Sequence, residues 1–104
     1  MINITVGLCK GRHTMPVDES IFDRIDNVNN YTAMGEVVRD FLMPLIYDHK
    51  AEDITLTVYM TGLTAAMLAV VHEVAKLNAN GYKIHLDALN YDMMTGNYNR
   101  QSVL

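Results

Sequence analysis

One cysteine, Cys9, stands among 104 residues, so no intrachain disulfide can form and nothing points to an oxidising compartment. An excess of cations is missing as well. The net charge of −4 argues against broad binding to duplex nucleic acid, which relies on many Lys and Arg contacts to phosphate, while leaving room for a small anionic ligand. No uninterrupted apolar stretch approaches the length of about 20 residues that spans a bilayer, and the opening apolar run from Ile2 to Leu8 is too short for a secretory signal. The chain is therefore expected to be soluble and cytoplasmic, with no membrane partner. There is no internal repeat or low-complexity tract. Neither a P-loop ending in Gly-Lys-Ser/Thr nor a Gly-x-Gly-x-x-Gly fingerprint occurs, which disfavours a standard NTPase or dinucleotide oxidoreductase. His85 and Asp87, two apart on one strand face, lack a third partner for a metal ion, so no metal or cofactor is expected.

What the chain has is enough apolar surface for one core. Half of its residues are apolar and 19% are charged, a balance that suits one folded domain over residues 1–104. Ile2, Ile4, Val6 and Leu8 alternate with Asn3, Thr5, Gly7 and Cys9, predicting a strand with one apolar face. Pro16 then suits the first turn of a short helix carrying Ile21, Phe22 and Ile25, followed by a turn-rich connector from Asn27 to Asn30. Met34, Val37, Val38, Phe41, Leu42 and Leu45 keep helical spacing from about Thr32, and Pro44 predicts an end or kink there, with a polar loop over Tyr47 to Asp53.

Alternation returns with Ile54, Leu56, Val58 and Met60 opposite Thr55, Thr57, Tyr59 and Thr61. Leu63, Ala66, Met67, Val70, Val71, Val74 and Leu77 form the most regular helical stripe, closed by Asn80-Gly81 as a left-handed cap. A third strand follows over Tyr82 to Tyr91, then turn chemistry, and Tyr98 to Val103 as a short antiparallel strand. The fold class this predicts is α/β: a small Rossmann-like β-α-β-α-β-β sheet with helices packed mainly on one face. Because all three strands alternate, the other sheet face is comparatively polar. It is expected to be partly covered, or to meet a second subunit through Thr57, Tyr59, His85 and Leu89 in a homodimer.

In parallel α/β sheets, ligands bind beyond the carboxyl ends of the strands. The first such loop brings Lys10, Gly11, Arg12 and His13, a concentration of cations suited to phosphate or carboxylate. The second brings Thr61, Gly62, Leu63 and Thr64 at a helix start, where unpaired amides and the macrodipole favour an anion and Gly62 permits close approach. The third brings Asn90, Tyr91 and Asp92, with Tyr91 able to stack on a base and its neighbours able to read polar edges. Each group has a structural alternative: solvated loop charges, a Thr61 N-cap, and an Asx turn after the strand. Cys9 reads as a small buried residue, His72 as a solvated one, and the eight methionines as packing.

The stretch from Thr57 to Tyr91 resembles the CRISPR-associated Rossmann-fold (CARF) family, whose strand-to-helix junction often carries Thr-Gly-Gly-Thr-Lys before an alanine-rich helix. Here the junction is Thr61-Gly62-Leu63-Thr64-Ala65, with Leu63 in place of the second glycine and Ala65 in place of the lysine. The resemblance covers about a third of the chain and implies a ligand class. CARF domains bind cyclic oligoadenylates across a dimer, and related ring nucleases cleave them without metal by setting a ribose 2′-hydroxyl against the adjacent phosphate. Thr61, Gly62 and Thr64 would then contact phosphate or ribose. Lys10, Arg12 and His13 match no family motif. From the loop argument alone, Lys10 or Arg12 would stabilise a developing phosphorane charge and His13 would help move a proton.

Two functions follow as expectations. One is a nucleotide-binding domain that binds, and cleaves or sequesters, a cyclic oligonucleotide in a homodimer, as a metal-independent phosphodiesterase where it turns over. The other is a non-enzymatic interaction or assembly protein using the polar sheet face.

Overall fold

The computed structural model describes residues 2–10, 16–17, 19–25, 27, 29–48, 52–60 and 64–104. Five strands and two helices follow in the order β1 (Ile2–Cys9), β2 (Ser20–Phe22), α1 (Tyr31–Asp48), β3 (Ile54–Tyr59), α2 (Thr64–Ala79), β4 (Ile84–Asp92) and β5 (Asn97–Ser102). The sheet order is β2-β1-β3-β4-β5, with every neighbour parallel except the β4–β5 hairpin. This is the small Rossmann-like α/β arrangement that the strand and helix patterns predict.

Register explains which residues meet. Ile2, Ile54 and Ile84 align across three strands, as do Ile4, Leu56 and Leu86, and then Val6, Val58 and Ala88. These rows form the apolar face, and Val38, Leu42, Ile46, Val70 and Val74 of the helices join them in one core. Strand order rises steadily from β1 to β3 to β4. The crossovers through α1 and α2 run in one direction across the sheet, so crossovers of the usual right hand put both helices over the same face, where they pack side by side. The intervening rows, Asn3-Thr55-His85, Thr5-Thr57-Asp87 and Gly7-Tyr59-Leu89, belong to the opposite face, which carries no helix among the described residues.

Local chemistry fixes the ends. Asn30 caps α1 by accepting from the Ala33 amide at 3.2 Å. Gly81, at φ 99°, closes α2 in a Schellman motif: Tyr82 N–H donates to the Leu77 carbonyl at 3.2 Å and Gly81 N–H to the Asn78 carbonyl at 3.1 Å. Asn78 welds that end to the sheet, donating from Nδ2 to the Ile84 carbonyl at 2.9 Å and accepting from the Ile84 amide at 2.8 Å. Gly96, at φ 72°, sits in the turn of the hairpin.

Two expectations are corrected. The short helix expected over Ile21, Phe22 and Ile25 does not form: Ile21 and Phe22 lie in a strand, β2, held to β1 by Gly7 N–H to the Glu19 carbonyl at 2.8 Å and Lys10 N–H to the Phe22 carbonyl at 2.9 Å, and Ile25 follows it outside any regular element. The outer edge of β1 needs backbone partners, and a helix of two turns is marginal, so strand addition wins. Of the end or kink expected at Pro44, the end is overturned: α1 continues to Asp48 with the ring exposed and with Leu42 and Ile46 buried on either side of it. Burial of that stripe outweighs the bond that proline removes.

Candidate functional site

Three parallel neighbours, β1, β3 and β4, present their carboxyl ends along one edge of the sheet. Lys10 follows β1 there, exposed, and Thr64 opens α2, also exposed, after β3. Gly11, Arg12, His13, Thr61, Gly62 and Leu63 lie outside the described residues. Topology thus brings Lys10, Thr64 and the end of β4 to a common edge.

Asn90, Tyr91 and Asp92 do not form a loop. They continue β4 into the hairpin, opposite Asn99, Tyr98 and Asn97. Asn90 Nδ2 donates to Gln101 Oε1 at 3.2 Å, and Asp92 Oδ1 accepts from the Met94 amide at 2.9 Å in an Asx turn. That amide, helped by hydrogen bonds from Thr95 and Asn99 and opposed by partial desolvation, holds the Asp92 carboxyl below its ordinary value. Both polar side chains therefore have hairpin roles. Tyr91 is different: its side chain is exposed, and its ring meets Tyr98 edge-on with centroids 5.3 Å apart.

Sequence reasoning did not single out Tyr59 and Tyr98 as ligand contacts, yet they complete a chain of rings with Tyr91. Tyr98 reaches across β4 to Tyr59 at a centroid distance of 4.7 Å and an interplanar angle of 88°. Alternation in β3 and β4 already gives Tyr59 and Tyr91 the same face; only the hairpin register adds Tyr98. The three rings sit on the helix-free face at the same carboxyl edge.

Deeper on that face, Arg100 reaches from β5 over the centre of the sheet. Its Nη1 donates to Asp87 Oδ2 at 2.7 Å and to Thr57 Oγ1 at 3.2 Å, while His85 Nε2 lies 2.9 Å from Asp87 Oδ1. Asp87 and Thr57 are buried, whereas the His85 and Arg100 side chains are about half exposed. The polar face is thus partly roofed by its own edge strand. Cys9 is buried at the end of β1, and His72 is exposed on α2. Among the described residues no three His, Cys, Asp or Glu side chains gather as a metal site, and no described helix is long and apolar enough to cross a membrane. No protein-family model, curated protein or solved structure matches the chain.

Proposed function

We propose that the protein is a small nucleotide-binding domain that holds a cyclic oligonucleotide at the carboxyl edge of β1, β3 and β4, within a homodimer, and cleaves or sequesters it. One observation carries the reading. The parallel order β1-β3-β4 gives a single edge to a cation, a helix start and a tyrosine row whose outer member, Tyr91, is exposed, the groups that phosphate and base require. Bases stack beside Tyr91 and Tyr98, while phosphate lies toward the start of α2 and the loop of Lys10, Arg12 and His13. For cleavage, a ribose 2′-oxygen attacks the adjacent phosphorus, a 2′,3′-cyclic phosphate forms, and the bond to the 5′-oxygen breaks. His13 takes the 2′-proton, the leaving oxygen gains a proton from water, and Lys10 or Arg12 stabilises the phosphorane.

The test is a melting series with cyclic and linear oligonucleotides. A cyclic ligand raises the midpoint, and Tyr91→Ala or combined Gly62→Val and Arg12→Ala removes the rise. Product analysis in the presence of a chelator separates a nuclease from a sponge, and native mass spectrometry counts subunits and finds any retained molecule. No rise across the series, with no retained molecule, overturns the reading.

A second reading draws on the helix-free face, where Tyr59, His85 and Arg100 remain partly accessible. There the protein is an interaction or assembly factor, and Tyr59→Arg or His85→Glu breaks a partner complex that Arg12→Ala leaves intact.

A further inference from the structure

Where α1 and α2 lie side by side, a cleft of about 410 Å³ opens on their outer surface. That volume falls within the range of small-molecule sites, roughly 300 to 1,000 Å³. Its walls are low because Gly35, Ala65 and Ala69 line it. Toward the helix starts the rim is apolar, made by Tyr31 and Leu68, which are 67% and 62% exposed. Toward the other end it is polar, made by the cations Arg39 and Lys76 with His72 beside them.

Between the cations lies Glu73, its side chain only 6% accessible. Arg39 Nη2 approaches Glu73 Oε1 at 3.4 Å, Arg39 Nε approaches Oε2 at 3.5 Å, and Lys76 Nζ lies 3.8 Å from Oε1. Gly35 makes room for this carboxylate, since a Cβ there would fall 3.0 Å from Oε1. A buried carboxylate on a helix-packing surface costs more than an apolar residue of similar size, so packing alone does not account for it. Its geometric effect is to aim two cations at the cleft. Two positive groups face one negative group, and both Arg39 and Lys76 keep N–H donors beyond those directed at Glu73.

We propose that this cleft binds a small amphiphile with an anionic head, a carboxylate or phosphate on a short apolar body. The head meets Arg39 and Lys76, with His72 beside them, and the body lies along Ala65, Ala69 and Leu68. Glu36 and Asp40 also act on Arg39 from α1 but do not line the cleft, so the charged groups that a ligand there would meet are Arg39, Lys76 and the buried Glu73. Glu73 is a positioning residue rather than a contact.

Matched eight-carbon probes test this: octanoate, octyl phosphate, octylamine and octanol, each titrated into isotope-labelled protein below its micellar concentration. Octanoate or octyl phosphate is expected to shift the amides of Gly35, Ala65, Ala69 and Glu73 saturably, with the stronger of the two identifying the head group. Octylamine and octanol should bind at least about tenfold more weakly, the factor expected from one charge-assisted hydrogen bond. Leu68→Glu, on an exposed rim position, keeps the fold and abolishes the anion response. Arg39→Met with Lys76→Met levels the four probes, and Glu73→Gln weakens the anions alone. Equal binding of all four to the unaltered protein, or anion shifts confined to residues outside the cleft, would overturn the proposal.

Discussion

Arg100 on β5 and Asp87 on β4 are joined across the hairpin at 2.7 Å, and the arginine also donates to Thr57 on β3. They are diagonal neighbours, since Asp87 pairs with Ser102 and Arg100 with Leu89. These two bonds, with the Tyr98–Tyr59 ring contact, tie the edge strand to the centre of the sheet. Asp87 is buried and holds His85 through its other oxygen. Arg100→Met should therefore leave a buried carboxylate underpaired and destabilise the protein by roughly 1–3 kcal/mol, short of the full cost of breaking a buried pair because the arginine is half exposed. Urea unfolding of Arg100→Met, Asp87→Asn and the double variant measures this. A coupling near zero would mean that Arg100 covers the face without anchoring it.

Asn78 makes a second such tie. Its amide satisfies both the N–H and the carbonyl of Ile84, at 2.8 and 2.9 Å. Asn78→Ala should cost about 1–3 kcal/mol through two backbone groups left without this partner. Asn78→Asp should recover part of the loss, because a carboxylate still accepts from the amide but opposes the carbonyl. Midpoints of chemical unfolding distinguish the three chains, and equal stability of Asn78→Ala and the unaltered protein would refute the argument.

Pro44 is exposed within a helix whose neighbouring Leu42 and Ile46 are buried. Pro44→Ala restores an N–H to the ladder and loses little packing. It is expected to stabilise by about 1–3 kcal/mol, reduced from the full helix-interior penalty by the freedom alanine adds to the unfolded chain. Calorimetry should find a midpoint higher by roughly 5 to 20 °C. A lower midpoint would show that the proline ring has a packing role.

Period-two alternation made β1, β3 and β4 legible, because each strand keeps one face on the core and one off it. The same alternation announced that helices cover one side. β2 was not legible: Ile21, Phe22 and Ile25 satisfy helical spacing, and only the unpaired edge of β1 decides for a strand. Pro44 misled as a helix end for a related reason, since local preference is weaker than the buried stripe that runs through it. At the site, Lys10 and Thr64 were readable from their position after parallel strands. For Asn90 and Asp92 the alternative reading, a strand end and an Asx turn before an antiparallel strand, is the one that forms, and only their cross-strand partners depend on register. Glu73 carried a faint signal, a charge three residues from Val70 along the apolar stripe of α2, whose meaning needs Gly35 and Arg39 on the other helix.

Asp92 supplies a pH-dependent prediction. Hydrogen bonding from the Met94 amide favours the ionised carboxylate in the folded hairpin, so its folded pKa lies below the unfolded one. The contribution is complete above the ordinary aspartate value. It declines as pH falls through the depressed folded value and is absent below both. NMR titration should show the Asp92 carboxyl carbon changing below the usual aspartate range, with the Met94 amide following the same curve. Asp92→Asn keeps an acceptor oxygen for the Asx turn but cannot titrate, so the Met94 amide should hold its bonded shift across the acidic range. A Met94 shift that still moves with the same midpoint in Asp92→Asn would assign the titration to another group and remove Asp92 as its source.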